Sequence, residues 1–255
     1  MVSQSALRLQ PAAGMMSNTT SGAADASIGI TEQNIAHWDA IFRSRSWGRY
    51  PPEELIRFVA RTYRDPPARR HMQVLEVGCG PGPNLWYLAR EGFAVAGIDG
   101  SPHAIAAARE RLRAEGLTGA ADVADLRTGN FASLPWPAET FDAVIDIEAI
   151  YANTRAVIAS AVGEAWRVLR PGGWLFGKMF GPETTGARSG QILEPGTSAN
   201  PTEGPLAGTG LTHVFTRIEL TQLLARFSEH QLDWVRRSDR NGRYTIFEWL
   251  VQARK

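Results

Sequence analysis

The sequence predicts an α/β fold, a doubly wound parallel sheet that ends in an antiparallel hairpin. Three observations carry this expectation. Strand-like and helix-like segments alternate strictly from Val74 to Phe180, the rhythm of βα units with right-handed crossovers. The first of these strands runs into glycines at alternate positions, Gly78, Gly80 and Gly82, with a helix starting at once behind them. Near the end of the chain, Asn241-Gly242 stands between two strand-like runs, the strongest short-range signal for a hairpin.

Taken in order, residues 1–30 are rich in Ser, Ala, Gly and Thr without apolar periodicity, so a disordered tail is expected there. They lack the continuous apolar stretch of a secretory signal. The main domain is expected over 31–255, opening with a helical cap at 31–70. Ile35, Trp38, Ile41 and Phe42 share one helical face. After a break at Ser46-Trp47-Gly48, Pro51-Pro52-Glu53 starts a second helix with Leu55, Phe58 and Val59 inward, and Asp65-Pro66-Pro67 ends it. The spacing then predicts strand 74–78, helix 83–91, strand 94–98 and helix 102–115. Strands 121–128 and 141–147, helix 154–169 and strand 174–180 follow. Pro171-Gly172-Gly173 separates the last helix from the last strand. Residues 181–213 hold a Gly-, Pro-, Thr- and Ser-rich insertion beyond a strand's carboxyl end, where α/β sheets bind ligands, and are read as a mobile lid. Helix 217–227 and strands near 230–238 and 243–255 close the chain.

Composition narrows the function. With 27 basic and 26 acidic residues the formal charge is +1, which gives no footprint for a polyanion, so nucleic acid is not expected as a partner. The single cysteine, Cys79, excludes internal disulfides and cysteine-cluster metal sites, and no metal is expected. No apolar run approaches the roughly 18–20 residues that span a bilayer. A cytoplasmic location without membrane association is the expectation.

The glycine turn of VLEVGCGPGPNLW allows backbone to approach a nucleotide-like ligand closely. The next strand ends on Asp99, where a carboxylate can accept hydrogen bonds from both hydroxyls of a ribose. A nicotinamide enzyme would place its glycines as G-x-G-x-x-G, whereas this chain reads G-x-G-x-G. Glu76 before the first glycine, Gly129-Asn130-Phe131 after the third strand, and Arg167 to Trp174 before the fifth agree with another family. In these motifs, over about residues 72–180 and the terminal hairpin, the chain resembles the class I S-adenosylmethionine (SAM)-dependent methyltransferases.

The resemblance implies a Rossmann-like seven-stranded sheet of order 3-2-1-4-5-7-6 with its last strand antiparallel. It implies SAM as cofactor, with S-adenosylhomocysteine as product. Glu76, Gly78, Cys79, Gly80, Gly82 and Asn84 would lie by the methionine part and the ribose, and Asp99 would hold the ribose hydroxyls. Gly100, Ser101, Gly129, Asn130 and Phe131 would surround the adenine, Asn130 standing where many members have Asp. Asp146 and Ile147 would approach the sulfonium.

A neutral acceptor must also lose a proton, and histidine is the commonest base. His213, directly after the insertion, is therefore a candidate for catalysis or substrate binding, with Glu148 and Tyr151 next. Trp47, Tyr50 and Tyr151 are further candidates for holding substrate, since aromatic faces attract a sulfonium. The tetrapeptide of amino-methylating nucleic-acid enzymes, the paired glutamates of arginine methyltransferases and the acidic set of magnesium-dependent catechol enzymes are not recognisable. That leaves methyl transfer to a nitrogen or oxygen of a small molecule. A protein methyltransferase, another SAM-family transferase and a non-catalytic SAM-binding protein stay open as alternatives.

Overall fold

The computed structural model describes residues 20–117 and 124–255, with side chains of the first helix from Glu32 onward. Helix α1 (Thr20–Ser44) leads to α2 (Glu53–Thr62) and the single turn α3 (Pro66–Arg69). The βα alternation follows as β1 (Gln73–Val77), α4 (Pro83–Arg90), β2 (Ala94–Asp99), α5 (Pro102–Ala114), β3 (Asp125–Thr128), β4 (Phe141–Ile147), α6 (Arg155–Val168) and β5 (Leu169–Phe180). Three short strands come next, β6 (Gln191–Glu194), β7 (Thr197–Ala199) and β8 (Leu211–His213). The chain closes with α7 (Arg217–Leu223), β9 (Glu229–Asp239) and β10 (Tyr244–Arg254).

Seven strands form one sheet in the order β3-β2-β1-β4-β5-β10-β9. The first five are parallel, and β10 runs antiparallel to both β5 and β9. Counting only these seven strands gives 3-2-1-4-5-7-6, as the resemblance implied. β1 and β4 are apolar almost throughout because helices cover both sheet faces. Successive residues point to opposite faces: Leu75, Val144 and Leu175 join α6 and α7 on one, Val74, Ile145 and Phe176 join α2, α4 and α5 on the other. Phe58 of α2 stacks on Phe176 at 4.6 Å between ring centroids. Burying such a side chain contributes roughly 1.5–3 kcal/mol.

The structure differs from the sequence reading at several places. Residues 20–30, expected to be disordered, continue α1; no proline interrupts them and alanine favours propagation of a helix formed further on. The expected start of the third strand, 121–123, lies outside the described residues. β5 begins at Leu169, which pairs with Phe141, and Arg170–Gly173 bulge out before Trp174 meets Ala143. The terminal hairpin forms, but its loop spans the four residues 240–243, with Arg240, Asn241 and Gly242 all left-handed.

The insertion is the largest correction. Far from being a bare loop, it folds as a three-stranded antiparallel sheet, β6-β7-β8. Its small and hydroxylated residues make close backbone contacts, while Ala187 and Leu206 join the main core. Gly186 (φ 87°) lies so close to the Glu203 carbonyl that an added Cβ would sit 2.0 Å from its oxygen. Thr184 Oγ1 donates to the Phe247 carbonyl at 2.8 Å, and Thr185 N donates to that of Thr245 at 2.9 Å, tying the insertion to β10.

Candidate functional site

The carboxyl ends of β1, β2 and β4 open onto a cavity of about 420 Å³. The turn after β1 sets its floor. Gly78 has a left-handed φ of 61°, and a Cβ there would stand 2.2 Å from that of Ala149, so the position admits only glycine. Gly80 N donates to Asp99 Oδ2 at 2.9 Å and Ser101 N to Asp99 Oδ1 at 2.8 Å. Burial raises the Asp99 carboxyl, and these two amides partly offset it. Glu76 is buried beneath the turn. Its Oε1 accepts from Asn84 Nδ2 at 2.6 Å, while Oε2 has no partner. Burial, reinforced by Asp99 and Asp146, holds this carboxyl well above its usual range.

Helix α1 roofs the cavity. The face predicted from Ile35, Trp38 and Phe42 turns onto the site rather than into the core. Trp38, Phe42 and Trp47 pack with ring centroids 5.2–5.8 Å apart. Asn34, buried, donates through Nδ2 to the Ala152 carbonyl at 2.7 Å and accepts from Leu211 N at 3.2 Å, joining roof, wall and insertion. Asp39 accepts from Ser101 Oγ, and that bond together with Arg43 keeps it below the usual carboxylate range.

The structure brings most of the expected residues together. Glu76, Gly78–Gly80, Asn84, Asp99–Ser101, Gly129–Phe131 and Ile147 line the cavity, as do Trp47, Tyr50, Glu148 and Tyr151. Asn130 Oδ1 already accepts from Ala132 N at 2.8 Å, which fixes the turn after β3. Cys79 is buried, and desolvation raises its thiol well above its ordinary value, so it packs rather than reacts. Tyr151 is buried with its phenol likewise raised by desolvation, its ring edge-on to Phe180 at 4.8 Å.

Three expected residues lie elsewhere. His213 is fully buried in the insertion, with Nδ1 2.7 Å from Thr197 Oγ1 and Nε2 3.1 Å from Glu219 Oε2. It pins β7 and β8 to α7 and does not line the cavity, which removes it as a base. Asp146 is also fully buried; its Oδ1 accepts from Ala149 N and Ile150 N, both at 3.0 Å, and so holds the turn after β4. Gly82 caps α4 against Ala108, whose Cβ a side chain there would meet at 3.0 Å.

Sequence reasoning missed Asn34 and the pair Lys178 and Glu248. Both charges sit inside apolar strand runs, WLFGKMF and TIFEWLV, and a lone charge in such a run is the signal that was available. Lys178 Nζ reaches Glu148 Oε1 at 2.9 Å and Glu248 Oε1 at 3.1 Å. Glu148 itself has a left-handed backbone, φ 54°, a strained conformation for a non-glycine residue.

Comparison with known proteins adds the family. Residues 74–173 match a methyltransferase domain family. This stretch is a SAM-dependent methyltransferase domain of class I type. Among curated relatives, a fatty-acid O-methyltransferase of Mycolicibacterium smegmatis is 31% identical over 149 residues, 53% of this chain and 51% of that protein. A phthiotriol/phenolphthiotriol dimycocerosates methyltransferase of Mycobacterium tuberculosis is 37% identical over 106 residues, 40% of this chain and 35% of that one. The chain thus matches about half or less of the length of these relatives. In fold it is similar to a SAM-dependent methyltransferase of Methanosarcina mazei (TM-score 0.57, 24% identity, covering 72% of this chain and 92% of that one). It is similar also to a 1,6-didemethyltoxoflavin N1-methyltransferase of Burkholderia thailandensis (TM-score 0.59, 16% identity, 96% and 93%). SAM is the cofactor of this methyltransferase family. The residues present suit it: a glycine cradle that a single Cβ would fill, an unpartnered buried carboxylate oxygen on Glu76, and Asp99 at the lip. Among the described residues no helix is long and apolar enough to cross a membrane, and no group of His, Cys, Asp or Glu is placed to hold a metal.

Proposed function

We propose that this chain transfers the methyl group of SAM to an oxygen or nitrogen of a small, largely apolar molecule. One observation carries the reading. The cradle made by Gly78, Gly80 and Asp99 opens, within one cavity, onto a wall of Ile35, Trp38, Phe42, Tyr151 and Phe180 that, among the described residues, bears a single carboxylate, Glu148. Apolar walls with few polar groups select apolar ligands and let the polar group fix their orientation. The curated relatives named for fatty-acid and phthiotriol substrates support an apolar acceptor.

Glu76, Gly78, Gly80 and Asn84 would hold the methionine portion and Asp99 the ribose, with Gly100, Ser101, Gly129, Asn130 and Phe131 around the adenine. SAM supplies an activated methyl group, and an O–H or N–H that receives it releases one proton. The protein's part is then positioning, exclusion of water beneath α1, and a destination for that proton. No histidine lines the cavity, so Glu148 is the group within it fit to take the proton, and Tyr151, its phenol raised, stays neutral and orients.

The test pairs calorimetric titration of the purified protein with S-adenosylhomocysteine and a transfer assay using methyl-labelled SAM on a panel of fatty acids, phenols and apolar amines. Label should move into an organic-extractable product. Absence of binding, or binding with no transfer across the panel, would refute the reading.

A further inference from the structure

We propose that Lys178 and Glu248 form a buried positioning pair that keeps Glu148 ionised and aimed into the cavity as its proton acceptor. This rests on the reading of the cavity as a methyl-transfer site. The three side chains come from adjoining strands: Glu148 follows β4, Lys178 lies on β5, and Glu248 lies on β10. In the β5–β10 register Lys178 is opposite Leu250, so Glu248, two residues away, projects from the same face. Lys178 Nζ bridges the two carboxyls at 2.9 and 3.1 Å, and Arg237 of β9 stands behind, 3.7 Å from Glu248 Oε2. Lys178 and Glu248 are buried, at 7% and 0% side-chain exposure, whereas Glu148 keeps 31% and faces the cavity.

The charge balance points the same way. Two carboxyls share one close ammonium in a dry setting, where two full negative charges are costly. Neither oxygen of Glu248 has a well-aligned donor, so Glu248 is the one suited to carry a proton and share it with Glu148. Burial, helped by Glu148, pushes Glu248 up to about 7. Burial acts against the charged Glu148 too, but Lys178 and the hydrogen bond with Glu248 reverse it and leave Glu148 below its usual range. The groups facing Glu148 are Asp146 from its own strand, Lys178, Glu248 with Arg237 behind it, and Tyr151 from the following turn. Lys178 N–H chemistry is not needed in the step. A lone pair on X takes the methyl group as the methyl–sulfur bond breaks and its electrons return to sulfur as a thioether; the acceptor's X–H bond gives its proton to the Glu148 carboxylate and so out through the cavity mouth. A buried ion cluster adds little stability by itself, and one with its odd carboxyl turned to a cavity under backbone strain marks a functional arrangement.

The decisive experiment needs no acceptor. Full-length protein carrying carboxyl-labelled glutamate is titrated by infrared spectroscopy, so Asp146 contributes nothing to the labelled bands. A buried protonated glutamate band should disappear through about pH 7. It should be missing in Glu248→Gln and move to lower pH in Glu148→Gln, which removes the neighbouring charge. The band of Glu76, raised by burial with Asp99 and Asp146 and by neither member of the pair, stays in both variants and reports an intact fold. A wild-type protein without the titrating band, or a band indifferent to both substitutions, overturns the pair.

A second arm uses any acceptor found to turn over. Lys178→Met should shift the acidic limb of kcat/KM upward by about 1 pH unit or more, and Lys178→Arg should restore it. An equal loss at every pH would mean a structural role and also overturns the proposal. Failure to bind S-adenosylhomocysteine sinks the functional reading alone, and the infrared result stands or falls separately.

Discussion

Gly78→Ala provides the sharpest test of the cradle. The added Cβ would lie 2.2 Å from the Cβ of Ala149, whereas carbon atoms pack at about 3.5–4.0 Å. Neither atom can swing away by a rotamer change, so the turn after β4 must shift by about 1.5 Å to recover ordinary contact. That turn is held by the Asp146 carboxylate and by the bond from Glu148 N to the Lys178 carbonyl at 2.9 Å, and it resists. Overpacking of this kind costs ~1–3 kcal/mol. A left-handed alanine, at φ 61°, adds ~1–2 kcal/mol. The expected loss is therefore ~2–5 kcal/mol in urea unfolding, accompanied by weakened calorimetric binding of S-adenosylhomocysteine. The companion Ala149→Gly removes the colliding atom. In a double-mutant cycle the two changes should couple favourably by ~1–3 kcal/mol, leaving only the backbone terms. Effects that add within ~0.5 kcal/mol would show that the contact does not set the cost, and the cradle argument would fail.

Other outcomes follow from the same geometry. Asp99→Ala removes the acceptor of two backbone amides and should weaken S-adenosylhomocysteine binding by about 100-fold, read by calorimetry; unchanged affinity would exclude Asp99 from the site. His213→Ala should lower stability by ~2–4 kcal/mol through a cavity and the stranded Thr197 and Glu219, while binding of S-adenosylhomocysteine persists. Burial pushes Asp146 up to about 7 in the folded protein. The native state therefore holds its proton where the unfolded chain, near 3.9, has released it, so stability falls as pH rises from about 4 to about 7 and then levels. Asp146→Asn keeps an oxygen for Ala149 and Ile150 but cannot ionise. It should flatten this slope, worth up to ~4 kcal/mol, in denaturation curves taken across the window.

What could be read from the sequence was local. The run from Val74 to Gly82, Asp99 at the end of β2 and Asn241-Gly242 each express a backbone demand on neighbouring residues, and each stands where expected. The cavity lining from Glu76 to Phe131 follows, because strand ends in a parallel sheet share one edge. Lys178 and Glu248 are 70 positions apart and become a pair only through the β5–β10 register, which no local pattern encodes. His213 misled because proximity to the insertion in sequence says nothing about which way a short strand turns its side chain. The insertion misled because Gly, Thr and Ser signal loops on average, yet here they make the backbone contacts of a small sheet. Residues 20–30 lacked an apolar period, and helix propagation from their neighbours needs none.

The bonds of Asn34 mark a seam between two halves of the cavity with unequal freedom to change. Its floor, from Glu76 to Asn153, lies inside the matched stretch 74–173, while the roof at 34–52 and the rim at 205–209 lie outside it. Asn34 stitches roof to floor and rim at once, by way of the Ala152 carbonyl and the Leu211 amide, while Asp39 meets Ser101 and His37 meets the Gly208 carbonyl beside it. Both partners of Asn34 are backbone groups, present whatever side chains surround them. Roof and rim are therefore exchangeable for others that retarget the acceptor, so long as the bonds of Asn34, His37 and Asp39 keep their counterparts on α1.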